Sequence, residues 1–214
     1  EKLNLISKKV KSARYEREKL KRSTKSLSGF SLLLGLDNSR GKNVELAHHN
    51  VFFPQNYDNE FEDVFNRKIP VDDPTIYICA PKDDSMVKSV NKESWFVLVN
   101  APRHEPDSGW DWQQNGDIYA KKIVNKLDGL GMNVSPRLEF LKYRTPADLE
   151  NYAMAPGGSI YGTSSNSAAS AFLRARNRSK TKGLFCVGGS AHPGGGLPLV
   201  GISAEIVANC IGKA

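Results

Sequence analysis

The chain is poor in the residues from which catalytic and metal centres are usually assembled. Its 214 residues include four histidines (His48, His49, His104 and His192) and three cysteines (Cys79, Cys186 and Cys210). Neither Gly-x-Ser-x-Gly nor His-Glu-x-x-His occurs, which excludes a nucleophile elbow and a zincin helix. The cysteines are odd in number, widely separated and set among apolar neighbours. They read as buried free thiols of a reducing compartment, not as a disulfide framework or a zinc site. His48 and His49 are adjacent, and strand alternation would send their rings to opposite faces, so no metal site is expected. No run approaches the roughly eighteen apolar residues of a membrane span, and no apolar leader region follows the charged start. A Gly-x-Gly-x-x-Gly dinucleotide fingerprint is also missing.

Acidic charge is scarce only at one end. Residues 1–25 hold ten Lys/Arg against three Glu, so the net charge of +7 resides there and the remainder is balanced. That distribution argues against a nucleic-acid-binding surface spread over a domain. Leu3, Ile6, Val10, Ala13 and Leu20 recur at helical intervals, broken at Arg17, and predict an amphipathic helix with a basic outer face. Such a helix either packs on the body of the protein or lies on anionic lipid headgroups.

Beyond it, strands are predicted at Gly29 to Leu36, Val44 to Phe53, Thr75 to Cys79, Trp95 to Asn100 and Leu138 to Tyr143. Helices are predicted over Glu60 to Arg67, with Phe61, Val64 and Phe65 on one face, and over Asp111 to Leu127, with Tyr119, Ile123, Val124 and Leu127 inward. A third begins at Pro146, capped by Thr145. Strands in succession with few helices between them predict an α/β protein of α+β character, an antiparallel sheet backed by helices. After Tyr152 the composition shifts to Gly, Ser, Ala and Asn, with Ser164 to Ser170 reading as loop. A boundary therefore falls near 153–156, giving segments 1–155 and 156–214.

The closing segment is the richest in pattern. Leu184 to Val187 reads as a buried strand, Gly188-Gly189 and Gly194-Gly195-Gly196 as a bare turn, and Pro198 as the first turn of a helix to about Ile211. Strand, glycine turn and helix N-terminus together present backbone N–H groups and a positive dipole end to an anionic or electron-rich ligand.

Gly188-Gly189-Ser190-Ala191-His192-Pro193-Gly194-Gly195-Gly196-Leu197-Pro198 closely resembles the C-terminal flavin-binding signature of bacterial-type phytoene desaturases, a family that includes diapophytoene desaturases and diaponeurosporene oxygenases. The resemblance continues, in family order, through Ser28 to Gly35, His48 to Phe53, Asp73 to Ile78 and Gly157 to Gly162. His48 to Phe53 and Gly188 to Ser190 lean toward the oxygenase-like members.

The resemblance implies FAD as cofactor and a long isoprenoid polyene as substrate, desaturated or oxidised at a terminal methyl. Gly188, Gly189 and Ser190 would lie along the ribityl–pyrophosphate chain, and the loop Gly195, Gly196, Leu197 and Pro198 would bring the helix start to the flavin ring. Other flavoproteins of the wider superfamily carry an acid near Gly189; a glycine there leaves the contact to backbone N–H groups. His192 is the candidate catalytic side chain, or else a loop residue fixing backbone. Phe30, Leu32, Leu34, Phe52, Phe53, Tyr77 and Tyr161 are candidates for an apolar tunnel. The implied location is cytoplasmic, peripheral on the inner membrane. Since the family opens with a dinucleotide fingerprint, the chain reads as the C-terminal part of a longer enzyme, holding FAD weakly or not at all alone. Two other readings stand beside this one: a flavin-dependent saturase or amine-oxidase-like enzyme acting on another apolar molecule, and a non-catalytic lipid-binding module.

Overall fold

The computed structural model describes residues 14–83, 85, 87, 89–105, 108–164 and 174–212. Helix α1 (Arg14–Arg22) leads into β1 (Ser28–Asp37), which is followed by β2 (His49–Phe52), α2 (Tyr57–Phe61) with a π-turn over Glu62–Arg67, β3 (Ile76–Cys79) and β4 (Lys92–Ala101). Then come α3 (Trp112–Gly129), the single turn α4 (Val134–Arg137), β5 (Leu138–Arg144), α5 (Pro146–Ala153) and α6 (Leu197–Ile211). The strands form one sheet in the order β2-β3-β4-β1-β5, antiparallel at every pairing. Of the predicted basic helix, Leu3, Ile6, Val10 and Ala13 lie outside the described residues, as does most of the predicted Ser164 to Ser170 loop.

Strand alternation sorts the sheet's two faces. Phe30, Leu32, Leu34 and Leu36 of β1, Ile76 and Ile78 of β3, and Trp95, Val97 and Val99 of β4 are buried on the inner face. Helix α3 covers that face with Trp112, Tyr119, Ala120, Ile123 and Leu127. Its start is fixed by Asp111, whose carboxylate accepts from the N–H groups of Gln113 (2.8 Å) and Gln114 (3.2 Å). Phe30 is the centre of the packing. Its ring stacks on Trp112 (centroids 5.7 Å) and Tyr143 (5.6 Å) and meets Tyr119 edge-on (5.0 Å). Phe30, Leu32 and Leu34 are therefore core, not tunnel wall.

Two buried polar nodes fasten the edges. Glu60 accepts from Thr75 N (2.8 Å), Thr75 Oγ1 (2.6 Å) and Asn100 Nδ2 (2.8 Å), joining α2 to β3 and β4. The wholly buried Arg137 donates to the carbonyls of Asn133 and Met132 and to Asn38 Oδ1, with its guanidinium 5.1 Å from the Trp95 ring. Burial lowers its pKa, while Glu93 and Asp128 act in the opposite direction.

Three predicted elements differ in extent. Only His49–Phe52 of Val44 to Phe53 forms a strand, because its partner β3 lies between Pro74 and Pro81, which lack the N–H a longer ladder needs. The Glu60 to Arg67 helix starts at Tyr57 and ends as a π-turn; Phe61 stacks on Phe65 (centroids 6.3 Å) but is exposed, while Val64 is buried. Leu184 to Val187 does not form a strand. Among the described residues it makes only the isolated bridge Arg178↔Phe185, and Val187 is exposed. Its partner is the short segment 177–179, through Cys186 N to Asn177 O (2.7 Å) and Ser179 N to Leu184 O (3.0 Å), and a single bridge is too short for a ladder.

Candidate functional site

The C-terminal loop is tied to the sheet by a short ribbon. Leu27 O accepts from Ile160 N (2.9 Å), Gly162 O from Ser26 N (3.0 Å) and Thr24 O from Ser164 N (2.8 Å), so residues 160–164 run antiparallel to the lead-in of β1. Ser28 Oγ donates to Gly158 O at 2.7 Å. This ribbon sets the Tyr161 ring directly over Gly195: a Cβ at Gly195 would stand 2.0 Å from Tyr161 Cδ1. Gly189 in turn packs on Gly195, its ideal Cβ position 3.2 Å from the Gly195 Cα. These two glycines are small because ring and backbone occupy the space a side chain needs.

The predicted cofactor residues thus form one contiguous surface. Gly188, Gly194 and Gly196 have φ of 115°, 143° and 102°, values that favour glycine, as the sequence pattern anticipates. At Gly188 and Gly196 an added Cβ would meet nothing within 4 Å, so both backbones face open space. Ser190 is exposed and lies against Gly162. Helix α6 starts at Leu197 and Pro198 with Gly196 as N-cap, no side-chain cap bond and no acidic residue in its first turn. Its leading N–H groups and dipole therefore have no carboxylate of the helix's own first turn beside them. The ring of His192 is exposed; its backbone N donates to Ala175 O at 2.9 Å, and its own peptide to Pro193 is cis.

Asn177 holds this loop in shape. It is buried, and its Nδ2 lies within hydrogen-bonding distance of the Cys186 carbonyl (3.0 Å), the His192 carbonyl (2.8 Å) and Ser203 Oγ (2.8 Å). Ser203, wholly buried in α6, also accepts from Gly188 N at 3.2 Å. Arg174 adds bonds from Nη1 to the carbonyls of Tyr161 (3.0 Å) and Gly189 (3.3 Å). Neither Asn177 nor Arg174 is singled out by the sequence, where both sit in a polar, patternless stretch. A cavity of about 110 Å³ lies between α1 and the loop, lined by Leu20, Pro156, Ala175, Cys186, Val187 and Ala191. It is smaller than the roughly 300 Å³ at which small-molecule pockets begin. A second hollow of about 540 Å³, lined by Ser26, Leu27, Asp58, Phe61, Phe65 and Asn66, exceeds that, and the remaining apolar area is open surface.

That open surface is the outer face of the sheet. Cross-strand register places Val51 beside Tyr77, Tyr77 beside Leu98, Phe96 beside Leu33, and Phe140 beside Gly35. Leu33 is 47% exposed, Phe96 37%, Phe140 47% and Val51 50%, a run of apolar side chains across all the strands that no helix covers among the described residues. The tunnel candidates divide accordingly: Tyr77 faces this side, Phe52 packs against the core, and Phe53 and Tyr161 are exposed elsewhere.

At one edge of this face stand His48, His49 and Cys79. His48 precedes β2 instead of lying in it, so strand alternation does not separate the pair, and the two rings are 4.4 Å apart. His49 Nδ1 is hydrogen-bonded to the Tyr77 hydroxyl at 2.8 Å. Burial raises the pKa of that hydroxyl, and the neighbouring Cys79 raises it further.

Comparison with known proteins gives these surfaces a context. No family model matches the chain. A 1-hydroxycarotenoid 3,4-desaturase of a Flavobacterium species is 40% identical over 171 residues, 78% of this chain and 34% of that protein. The zeta-carotene-forming phytoene desaturase of Myxococcus xanthus is 35% identical over 187 residues, 84% of this chain and 34% of its own length. The 4,4'-diaponeurosporene oxygenase of Staphylococcus aureus is 32% identical over 189 residues, 86% of this chain and 37% of its own. The chain thus spans about a third of the length of the curated relatives it matches.

Asn177→Leu removes the loop's central donor while the sheet remains intact. Amide hydrogen exchange is expected to lose protection over 185–196 and at the start of α6, with β1 and β4 unchanged; uniform protection in the variant would refute the role given to Asn177. Most of the chain is homologous to carotenoid desaturases and diapocarotenoid oxygenases, which are oxidoreductases.

Proposed function

We propose that the chain is the substrate-facing, C-terminal part of an FAD-dependent carotenoid desaturase or oxygenase, oxidising a long isoprenoid polyene. The observation that carries this reading is the uncovered apolar face of the sheet. Leu33, Val51, Phe96 and Phe140 expose apolar surface that costs free energy in water. A rigid, extended hydrocarbon is the ligand that such a flat surface orients and desolvates best.

The glycine loop fits one half of a flavin site. Gly188, Gly189 and Ser190 would lie along the ribityl–pyrophosphate chain, with the backbone N–H groups of Gly189 and Ser190 as donors because that of Gly188 is held by Ser203 Oγ. Gly195, Gly196, Leu197 and Pro198 would bring the α6 start toward the ring. FAD, when bound, accepts a hydride equivalent from an activated C–H bond. The chain's own residues then have two tasks, to present backbone donors and to exclude water from the polyene. Helix α6 supports the reading of a larger enzyme. Among its residues only Ser203 and Val207 are buried, while Leu197, Leu199, Ile202 and Ile211 are exposed, so this apolar helix lacks the cover that such a composition calls for. The division into a substrate-side segment, 1–155, and a flavin-side return, 156–214, is part of the same proposal.

Three measurements test it. With the encoding gene expressed at full length in a polyene-producing host, Leu33→Glu and Phe96→Glu are each expected to lower product formation at least tenfold, with pigments read by chromatography. Both side chains are exposed, so the fold is retained; undiminished conversion would sink the reading. Purified as residues 1–214, the protein is expected to carry little flavin, and a stoichiometric yellow product would show that the loop is not half of a divided site. The location proposed is the cytoplasmic surface of the inner membrane, reached through the basic segment 1–25. Binding to anionic vesicles should exceed binding to neutral ones and disappear when residues 1–25 are deleted; equal binding to both would refute it.

A further inference from the structure

We propose that His48, His49 and Cys79 form a binding site for a zinc-class divalent cation at the β2–β3 edge of the open sheet face. One ligand atom from each residue lies within 4.8 Å of the others, and this trio comes together from two strands and the bend before them. The antiparallel register places His49 directly across from Cys79, so their side chains share a face. His48 joins them because the backbone turns immediately before β2. Asn50 makes that turn: its Oδ1 accepts from Ala47 N at 3.0 Å and its Nδ2 donates to Ala47 O at 2.7 Å. The His48 carbonyl is anchored on the far side by Ala80 N at 2.9 Å, which fixes the pair of histidines to the end of β3.

The donor set selects the metal. Two imidazoles and a thiol, with no carboxylate in the trio, suit zinc-like cations and not the oxygen-seeking calcium or magnesium. Tetrahedral zinc with bonds of about 2.0–2.3 Å needs its ligand atoms roughly 3.3–3.6 Å apart. A closing movement of about 1 Å therefore suffices, and His48 and His49 are exposed side chains free to rotate by that amount. The Tyr77 hydroxyl engages His49 Nδ1 and would orient the ring as an outer-shell partner does, with Nε2 assigned to the metal in this proposal. Three protein ligands leave a fourth position open, on the side of the sheet where Val51 and Tyr77 lie. A cation held here would cross-link the four-residue edge strand β2 to β3, a pairing otherwise secured by a short ladder.

Cobalt is the probe. The 1–214 chain is freed of metal with a chelator and titrated with Co²⁺. One equivalent is expected to produce a thiolate-to-cobalt charge-transfer absorption and the intense visible bands of a tetrahedral site, both abolished by Zn²⁺. Cys79→Ser should remove the charge-transfer band, and His48→Ala or His49→Ala should weaken binding at least tenfold. The double variant Cys186→Ser, Cys210→Ser should leave the spectrum unchanged. Tyr77→Phe should weaken binding by about ten- to a hundredfold while retaining the tetrahedral spectrum. Circular dichroism establishes that each variant is folded. Absence of the bands in the folded native chain overturns the proposal, as does their persistence in Cys79→Ser.

Discussion

Phe30 is held on three sides by the rings of Trp112, Tyr119 and Tyr143, and that contact decides which side of the sheet is closed. Its strand, β1, pairs with β4 and β5 at once, so fixing Phe30 inward fixes the register of the sheet's centre. The side-chain period of a strand is two, and every neighbour of Phe30 on β1 must then point the other way. Ser31, Leu33 and Gly35 are turned outward by the same geometry that buries Leu32 and Leu34. One long helix can seal one face only. The apolar character of the second face is thus not a by-product of packing, because packing would have been equally satisfied by polar residues there.

The same strand governs the C-terminal loop. The lead-in to β1 pairs with residues 160–164, and this ribbon carries Tyr161 onto Gly195. From there the chain of contacts is continuous: Gly195 against Gly189, Gly188 N to Ser203, Ser203 to Asn177, and Asn177 to the carbonyls on either side of the loop. Burying an amide and a hydroxyl is costly unless each is satisfied, and here each satisfies the other. The result is a glycine loop whose backbone is rigid although it has almost no side chains. A donor array made of backbone N–H groups needs that rigidity to be of use to a ligand.

Much of this was legible before the structure. Alternation in Gly29 to Leu36 gave the sheet's central strand and its inner face, and Asp111, Thr145 and Pro198 marked helix starts through local capping chemistry that depends on neighbours in sequence. What the sequence hid depends on partners far along the chain. Leu184 to Val187 is as apolar as a strand but pairs only with the short segment 177–179, and composition cannot reveal how long a partner is. Asn177 and Arg137 look like surface residues; Asn177 is buried where the Cys186 and His192 carbonyls meet, and Arg137 where the distant Asn38 side chain joins the neighbouring carbonyls of Met132 and Asn133. The His48–His49 pair was misjudged by one residue of register. Alternation applies within a strand, and β2 begins at His49.

The three uncovered features share a physical logic. The sheet's outer face and the exposed apolar side of α6 are unfavourable in water for hydrophobic reasons, and the uncapped start of that helix leaves its first N–H groups to solvent. A sequence that tuned its inner face so closely would not retain two such costs unless binding offsets them. Apolar surface calls for an apolar partner, while bare N–H donors at a positive helix end call for an electron-rich one. A flavin set against a polyene, the pair proposed above, would combine both properties, which a purely hydrophobic protein partner does not. The homologous enzymes are about two and a half times as long as this chain, and in the proposed reading their further length would enclose such a pair.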